Sequence, residues 1–192
     1  MTIATAAPDA TELAARHVAV YGDGRVPAFV HWKVAARLRA GRNPLSELDV
    51  VALAGLGITD VLDLREESEW NDPGLHGREA IAALARHGIA RANVPIPDYH
   101  APRAPELAAA VGFVAEVLAG RKRRLYVHCR AGIERSGTIL AAWRSWSARE
   151  PFGVALWSVR RYGWPAAPQP HQQRAAEEWL ESRRHPAAAG EK

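Results

Sequence analysis

The sequence predicts an α/β fold: a single domain with a central, largely parallel sheet of four to five strands and helices on both of its faces. Short runs rich in Val, Ile and Leu alternate with longer amphipathic stretches, the order that parallel strands and their crossover helices require. The length of 192 residues, with 48% hydrophobic and 24% charged residues, fits one domain with a sizeable core. No internal repeat or linker-like composition divides the chain. Residues 1–25 read as an Ala-rich, partly irregular N-terminal segment, 26–185 as the folded domain and 186–192 as a polar tail.

The elements follow in order. Phe29 to Leu38 alternates as strands do, and Ala40-Gly41-Arg42-Asn43-Pro44 reads as a turn. Ser46 is placed to N-cap a helix over 46–54, with Asp49 three residues on and Gly55 or Gly57 as its stop. Ile58 to Leu64 is a β-branched and leucine run, hence a buried strand. Leu75 to His87 has helical spacing and ends at Gly88, and Ile89 to Ile96 is a strand stopped by Pro95 and Pro97. Ala104 to Leu118 is a patterned helix closed by Gly120, and Leu125 to His128 is a strand. Helices follow over 136–148, 153–162 and 171–184.

Composition narrows the function. One cysteine excludes an intramolecular disulfide, and a lone thiol suits a reducing compartment. The first ten residues lack the basic start of a signal peptide, and no apolar run is long enough to span a bilayer. A cytoplasmic protein with no membrane partner is expected, and the Ala- and Arg-rich composition fits a high-GC bacterial genome. The net charge is +4, and the strongest basic run is Arg121-Lys122-Arg123-Arg124. That run falls where a helix ends, so it complements the helix dipole. Without interleaved aromatics it is no base-stacking platform, so a nucleic-acid partner is not expected. The basicity draws anionic substrates instead.

One decapeptide carries chemistry: His128-Cys129-Arg130-Ala131-Gly132-Ile133-Glu134-Arg135-Ser136-Gly137. It links a buried strand to a helix N-terminus, and five residues separate its cysteine from its second arginine. Backbone N–H groups in such a loop, from Arg130 through Ala131, Gly132, Ile133, Glu134 and Arg135, can surround a tetrahedral dianion, and the helix dipole adds positive potential. The same field favours thiolate, making Cys129 the candidate nucleophile. Arg135 can grip two phosphate oxygens with its planar fork, supplying the charge that a metal supplies elsewhere. No cofactor and no metal is expected, because no His/Asp cluster has ligand spacing. The plain alternative is a buried strand-end cysteine.

At these residues the sequence resembles the cysteine-dependent protein tyrosine and dual-specificity phosphatases, in particular their bacterial dual-specificity-like branch. The resemblance implies a phosphatase fold and a phosphoric monoester hydrolase working through a cysteinyl-phosphate. It implies a general acid on the loop before the signature, a place that Asp98 in Val94-Pro-Ile-Pro-Asp-Tyr-His100 fits; a turn aspartate after proline is the alternative. Should Asp98 not be the acid, Asp72 or Glu69 is next. Ser136 would donate its hydroxyl to the Cys129 sulfur, or N-cap the helix, or both. His128 would lie behind the cysteine and bond the loop backbone. Asp63-Leu64-Arg65 resembles a segment of the same branch, in which Arg65 braces the acid or signature loop, or else pairs with Glu66 or Glu67 at the surface.

Trp164-Pro165 is similar to the Trp-Pro-Asp acid loop of tyrosine phosphatases, but it follows the signature and precedes alanine, so it is rejected. Gln169, Gln172 and Gln173 fall where that family carries a water-positioning glutamine. The expected partner is a phosphorylated protein or a small phosphomonoester. Inositol phosphates, phosphoinositides or nucleotides are the alternative within the fold, disfavoured because Glu134 makes the loop less cationic. An inactive phosphoprotein-binding module is the alternative from another class. Sulfurtransferases need no Asp98, and thiol-dependent arsenate reductases need further cysteines.

Overall fold

The computed structural model describes residues 29–71 and 77–184. The N-terminal segment 1–25, the tail 186–192, Asp72 and the expected helix start at Leu75 lie outside the described residues.

Five strands form one sheet: β1 (His31–Ala35), β2 (Leu38–Gly41), β3 (Asp60–Asp63), β4 (Ala90–Asn93) and β5 (Leu125–His128). Their order is β1-β2-β5-β3-β4. Only β1 against β2 is antiparallel; the other pairs are parallel. Among the described residues the helices are α1 (Glu47–Gly55), α2 (Glu67–Asn71), α3 (Gly77–Arg86), α4 (Ala104–Ala119), α5 (Glu134–Ala148), α6 (Phe152–Arg160) and α7 (Pro170–Arg184). This is the α/β architecture the alternation of apolar runs predicts.

The sheet is covered on both faces because its strands alternate between two apolar clusters. Leu62, Leu125 and Val127 pack with Val114 of α4, Ile139 and Leu140 of α5, and Trp179 of α7. Val61 and Tyr126 point the other way, toward Val50 and Leu53 of α1 and Leu84 of α3. The buried Tyr126 hydroxyl donates to the Arg42 carbonyl at 2.7 Å and ties β5 to the segment after β2. Burial first, with Asp49 and Cys129 adding to it against the opposing Arg42, pushes that phenol well above its ordinary range.

Two local expectations change, and one short helix was not expected. The turn expected from Ala40 begins later, because Ala40 and Gly41 are strand residues opposite Val127 and His128 of β5. Pairing with a central strand overrides their turn propensity. Ser46 occupies the N-cap of α1, but its side chain makes no capping bond. The Asp49 carboxylate instead accepts the Leu45 N–H at 2.7 Å. Helix α2 is too short to show an apolar period. Of the basic run, Arg123 is paired with Asp60 and Glu116.

The registers decide where function can sit. Gly41 and Asp63 both stand opposite His128, and Asn93 stands opposite Asp63. Four parallel strands therefore stop in step at one edge, and the decapeptide emerges there from β5. In open α/β sheets that edge is where ligands bind.

Candidate active site

The backbone of the decapeptide is held from outside, carbonyl by carbonyl. His128 Nδ1 lies 3.1 Å from the Cys129 carbonyl, and the Asn43 N–H donates to the Arg130 carbonyl at 3.0 Å. The indole N–H of buried Trp164 donates to the Gly132 carbonyl at 2.9 Å, and the Ala167 N–H to that of Ile133 at 3.2 Å. A trans peptide sets its N–H opposite its C=O. With these four carbonyls turned outward, the amides of Arg130, Ala131, Ile133 and Glu134 face into the loop. The Gly132 N–H points at the Cys129 sulfur, 3.3 Å away. An inward ring of donors at the start of α5 is an oxyanion cradle.

Glycine is required at position 132 on two counts. Its φ is +73°, and a Cβ would lie 1.9 Å from the Gly41 carbonyl oxygen. The end of β2 thus passes directly beneath the loop. Gly41 has no room for a side chain either, since a Cβ there would meet the Tyr126 hydroxyl and the Val30 carbonyl at 2.4 Å.

Arg135 is buried, and its fork is engaged at both ends. Nη1 donates to Glu69 Oε2 at 2.7 Å and to the Ile96 carbonyl at 2.9 Å. Nη2 donates to Glu69 Oε1 at 2.9 Å and lies 2.8 Å from Asp98 Oδ1. Burial opposes its charge, but Glu69, with Cys129 and Asp98, outweighs burial and raises its affinity for its proton. The guanidinium is a fixed cation lining the same cleft as Cys129. Asp98, near one-third exposed, sits at the mouth of the same cleft.

Behind the loop, Asp63 organises a buried cluster. Its carboxylate accepts Arg65 Nε at 3.0 Å and Nη2 at 2.9 Å, and Arg91 Nη2 at 3.0 Å. His128 Nδ1 lies 3.6 Å from Asp63 Oδ1. Burial raises the Asp63 carboxyl, but His128, Arg65 and Arg91 overcome it and hold the group well below the carboxylate range. His128 moves down to about 4, from burial first, against the pull of Asp63. It is a neutral imidazole at neutral pH. Arg65 is therefore no surface partner of Glu66 or Glu67: it is buried and paired with Asp63. With the Asn43 amide turned so that both its ends are satisfied, its oxygen accepts from Arg65 Nη1 at 3.1 Å and its nitrogen donates to the Arg130 carbonyl at 2.9 Å. Through Asn43, Arg65 braces the signature loop.

The Ser136 hydroxyl is buried and, among the described residues, has no hydrogen-bond partner. It makes no bond to the Cys129 sulfur in this geometry. It is also not the N-cap, since α5 starts two residues earlier at Glu134. Of the three glutamines, Gln172 is buried between Thr138, the Gln169 N–H and the His100 carbonyl, and Gln173 bonds Glu177 within α7. Only Gln169 reaches the signature loop, donating to Glu134 Oε1 at 2.7 Å. The segment carrying Asp98 is clasped from α7: His171 Nε2 lies 2.9 Å from the Tyr99 carbonyl. Tyr99 has φ +59°, the left-handed region that non-glycine residues rarely adopt.

These side chains enclose a cleft of about 310 Å³, with buried Cys129 and Arg135 at its base and Asp98, Tyr99, Arg130 and Glu134 on its walls. Glu69, Asn43 and Trp164 are supports that sequence reading did not assign; Glu69 entered only as a substitute acid. Trp164-Pro165, rejected as an acid loop, serves the site as a brace. Among the described residues, no group of three His, Cys, Asp or Glu side chains gathers where a metal ion is held.

Comparison with known proteins places this geometry. No curated protein matches the chain. Among solved structures, Tk-PTP in its active form is 24% identical with a TM-score of 0.67, covering 79% of this chain and 96% of that one. PTPMT1 in complex with PI(5)P is 20% identical with a TM-score of 0.68, covering 82% of this chain and 99% of that one. Kinase associated phosphatase, with its catalytic-site cysteine replaced by serine, is 19% identical with a TM-score of 0.69, covering 87% and 99%. The family model for the DSP-PTPase phosphatase domain of Swiss Army Knife proteins matches residues 27–154, which contain Asp98 and the whole signature loop. The chain belongs to that phosphatase family and is a phosphoric monoester hydrolase.

Proposed function

We propose that this enzyme hydrolyses phosphomonoesters on protein, phosphotyrosine first and phosphoserine or phosphothreonine beside it, through a cysteinyl-phosphate. The observation that carries the reading is the ring of inward amides around Cys129, closed by Arg135. Cys129 Sγ attacks phosphorus while the P–O bond to the leaving group breaks. The amides and Arg135 hold the three non-bridging oxygens, whose charge they match without reorganising. Asp98 gives its proton to the departing oxygen. Water then attacks the phosphocysteine, Asp98 takes the water's proton, and inorganic phosphate leaves with the thiolate restored. The Ser136 hydroxyl, buried and without a hydrogen-bond partner among the described residues, is suited to steady the sulfur in that second step.

The free site also dictates an exchange. Nη2 donates to Glu69 and forms an ion pair with Asp98, whose Oδ1 lies 2.8 Å away. A phosphate oxygen brought to Nη2 meets the Asp98 carboxylate 2.8 Å from the same nitrogen, and like-charge repulsion moves Asp98 aside. The carboxyl group that yields its place is then beside the leaving-group oxygen, where a proton donor is needed. The wall charges favour a monoester over a polyanion: the one exposed cation, Arg130, shares the wall with the carboxylates of Glu134 and Asp98. The single cysteine, as nucleophile, suits a reducing compartment such as the cytoplasm.

The test is a panel of phosphotyrosine, phosphoserine and phosphothreonine peptides with an inositol polyphosphate, followed by phosphate release. The reading requires kcat/KM highest on phosphotyrosine peptide. Preference for the inositol polyphosphate would overturn the substrate assignment.

A further inference from the structure

The signature loop carries one carboxylate that phosphate chemistry does not use. Glu134 is the first residue of α5, partly exposed, and its side chain stands in the cleft wall. It is not a swinging surface group. Gln169 Nε2 donates to Oε1 at 2.7 Å, and the Gln169 N–H bonds the Gln172 side chain at 3.0 Å. Gln172 is fully buried, and its amide also holds Thr138 of α5 and the His100 carbonyl of the acid loop. A chain of amides thus fixes Glu134 relative to both halves of the site. Among the described residues only its Oε1 is engaged, which leaves Oε2 to meet a ligand.

The charges around it give that ligand a sign. Arg135 is matched by Glu69 and, in the free site, by Asp98. A phosphate dianion on Arg135 replaces the Asp98 contact and leaves Arg130 as the one exposed cation of the wall, with Glu134 four residues along the same loop. A substrate group lying against Glu134 therefore meets a pinned negative charge beside an already anionic phosphate. We propose that Glu134, held by Gln169, is a specificity-determining residue: it is an acidic subsite for a lysine or arginine next to the phosphorylated residue, and it rejects acidic flanks. This rests on the phosphatase reading above.

The experiment compares four phosphotyrosine peptides, with Lys or Glu on either side of the phosphotyrosine and otherwise identical. Its readout is the Lys-to-Glu ratio of kcat/KM, from which any effect of a substitution on the phosphate cradle cancels. Glu134→Gln should lower the ratio about tenfold on at least one side, equivalent to about 1.4 kcal/mol. Glu134→Lys should carry it further, below unity. Gln169→Ala, which frees the carboxylate without removing it, should give a smaller drop in the same direction. Ratios unmoved within about twofold in both Glu134 variants, with turnover intact, would overturn the subsite and leave the phosphatase reading standing. A wild-type enzyme that turns over neither these peptides nor p-nitrophenyl phosphate would overturn both.

Discussion

Acid should unfold this protein through His128, by an amount that its burial sets. The imidazole is enclosed behind the signature loop, and burial above all lowers it to about 4 from an ordinary 6.5. The unfolded chain takes up this proton near 6.5 and the folded protein only near 4, so between those values the unfolded state binds more protons. Stability therefore falls as pH drops through that window and is fully present above it. The full difference is worth roughly 3 kcal/mol, most of it, on the order of 2 kcal/mol, lost between pH 7 and pH 4.5. Asp63, whose carboxyl is also lowered, adds a loss of the same sign, but only as pH falls below its ordinary 3.8. The perturbation is His128→Asn, whose amide nitrogen takes the place of Nδ1 toward the Cys129 carbonyl. Urea unfolding followed by tryptophan fluorescence at the two pH values gives the numbers. Wild type should lose on the order of 2 kcal/mol more than the variant on acidification, a midpoint shift of about 1 M urea. Any constant destabilisation by the substitution cancels in that difference. Equal acid losses in the two proteins would refute the assignment of a buried neutral imidazole.

Two substitutions address the chemistry. Asp98→Asn should slow alkyl phosphates by about 10²–10⁴ and aryl phosphates with good leaving groups far less; equal slowing of both would remove Asp98 as the acid and move attention to Glu69. Arg135→Lys should lower kcat on p-nitrophenyl phosphate by about 10²–10³, because an ammonium with three donors cannot keep the two-pronged Glu69 contact and the Ile96 bond while also gripping two phosphate oxygens; wild-type-like turnover would show that the fork is dispensable.

The parts of this molecule that sequence reveals are those whose physics is local. The decapeptide is legible because nucleophile, cradle and cation must lie within one strand–loop–helix turn. The strand Leu125–His128 is legible as an apolar run before it. Strand β2 is hidden because Ala40 and Gly41 carry turn propensity, and only β5 alongside makes them strand. What supports the loop is hidden for a different reason. Asn43 and Trp164 act through contacts 87 and 32 positions away in sequence, on the Arg130 and Gly132 carbonyls. Glu69 reaches Arg135 across 66 positions from a five-residue helix. Arg65 was legible as a brace but not as buried, since its adjacent glutamates suggest a surface turn while the partner that buries it, Asp63, lies two residues back. Gly132 was legible only as one of the loop's amide donors; its left-handed φ and the passage of Gly41 beneath it come from the structure.

The central claim is that Cys129 carries the phosphoryl group between the two half-reactions. Rapid quenching of wild-type enzyme with ³²P-labelled phosphotyrosine peptide, followed by peptide mapping, tests it most directly. The account predicts transient label on the peptide containing Cys129, formed as fast as the first turnover, and neither label nor turnover in Cys129→Ser. Phosphate release with no protein-bound label at any quench time, or a Cys129→Ser variant that still turns over, would contradict it.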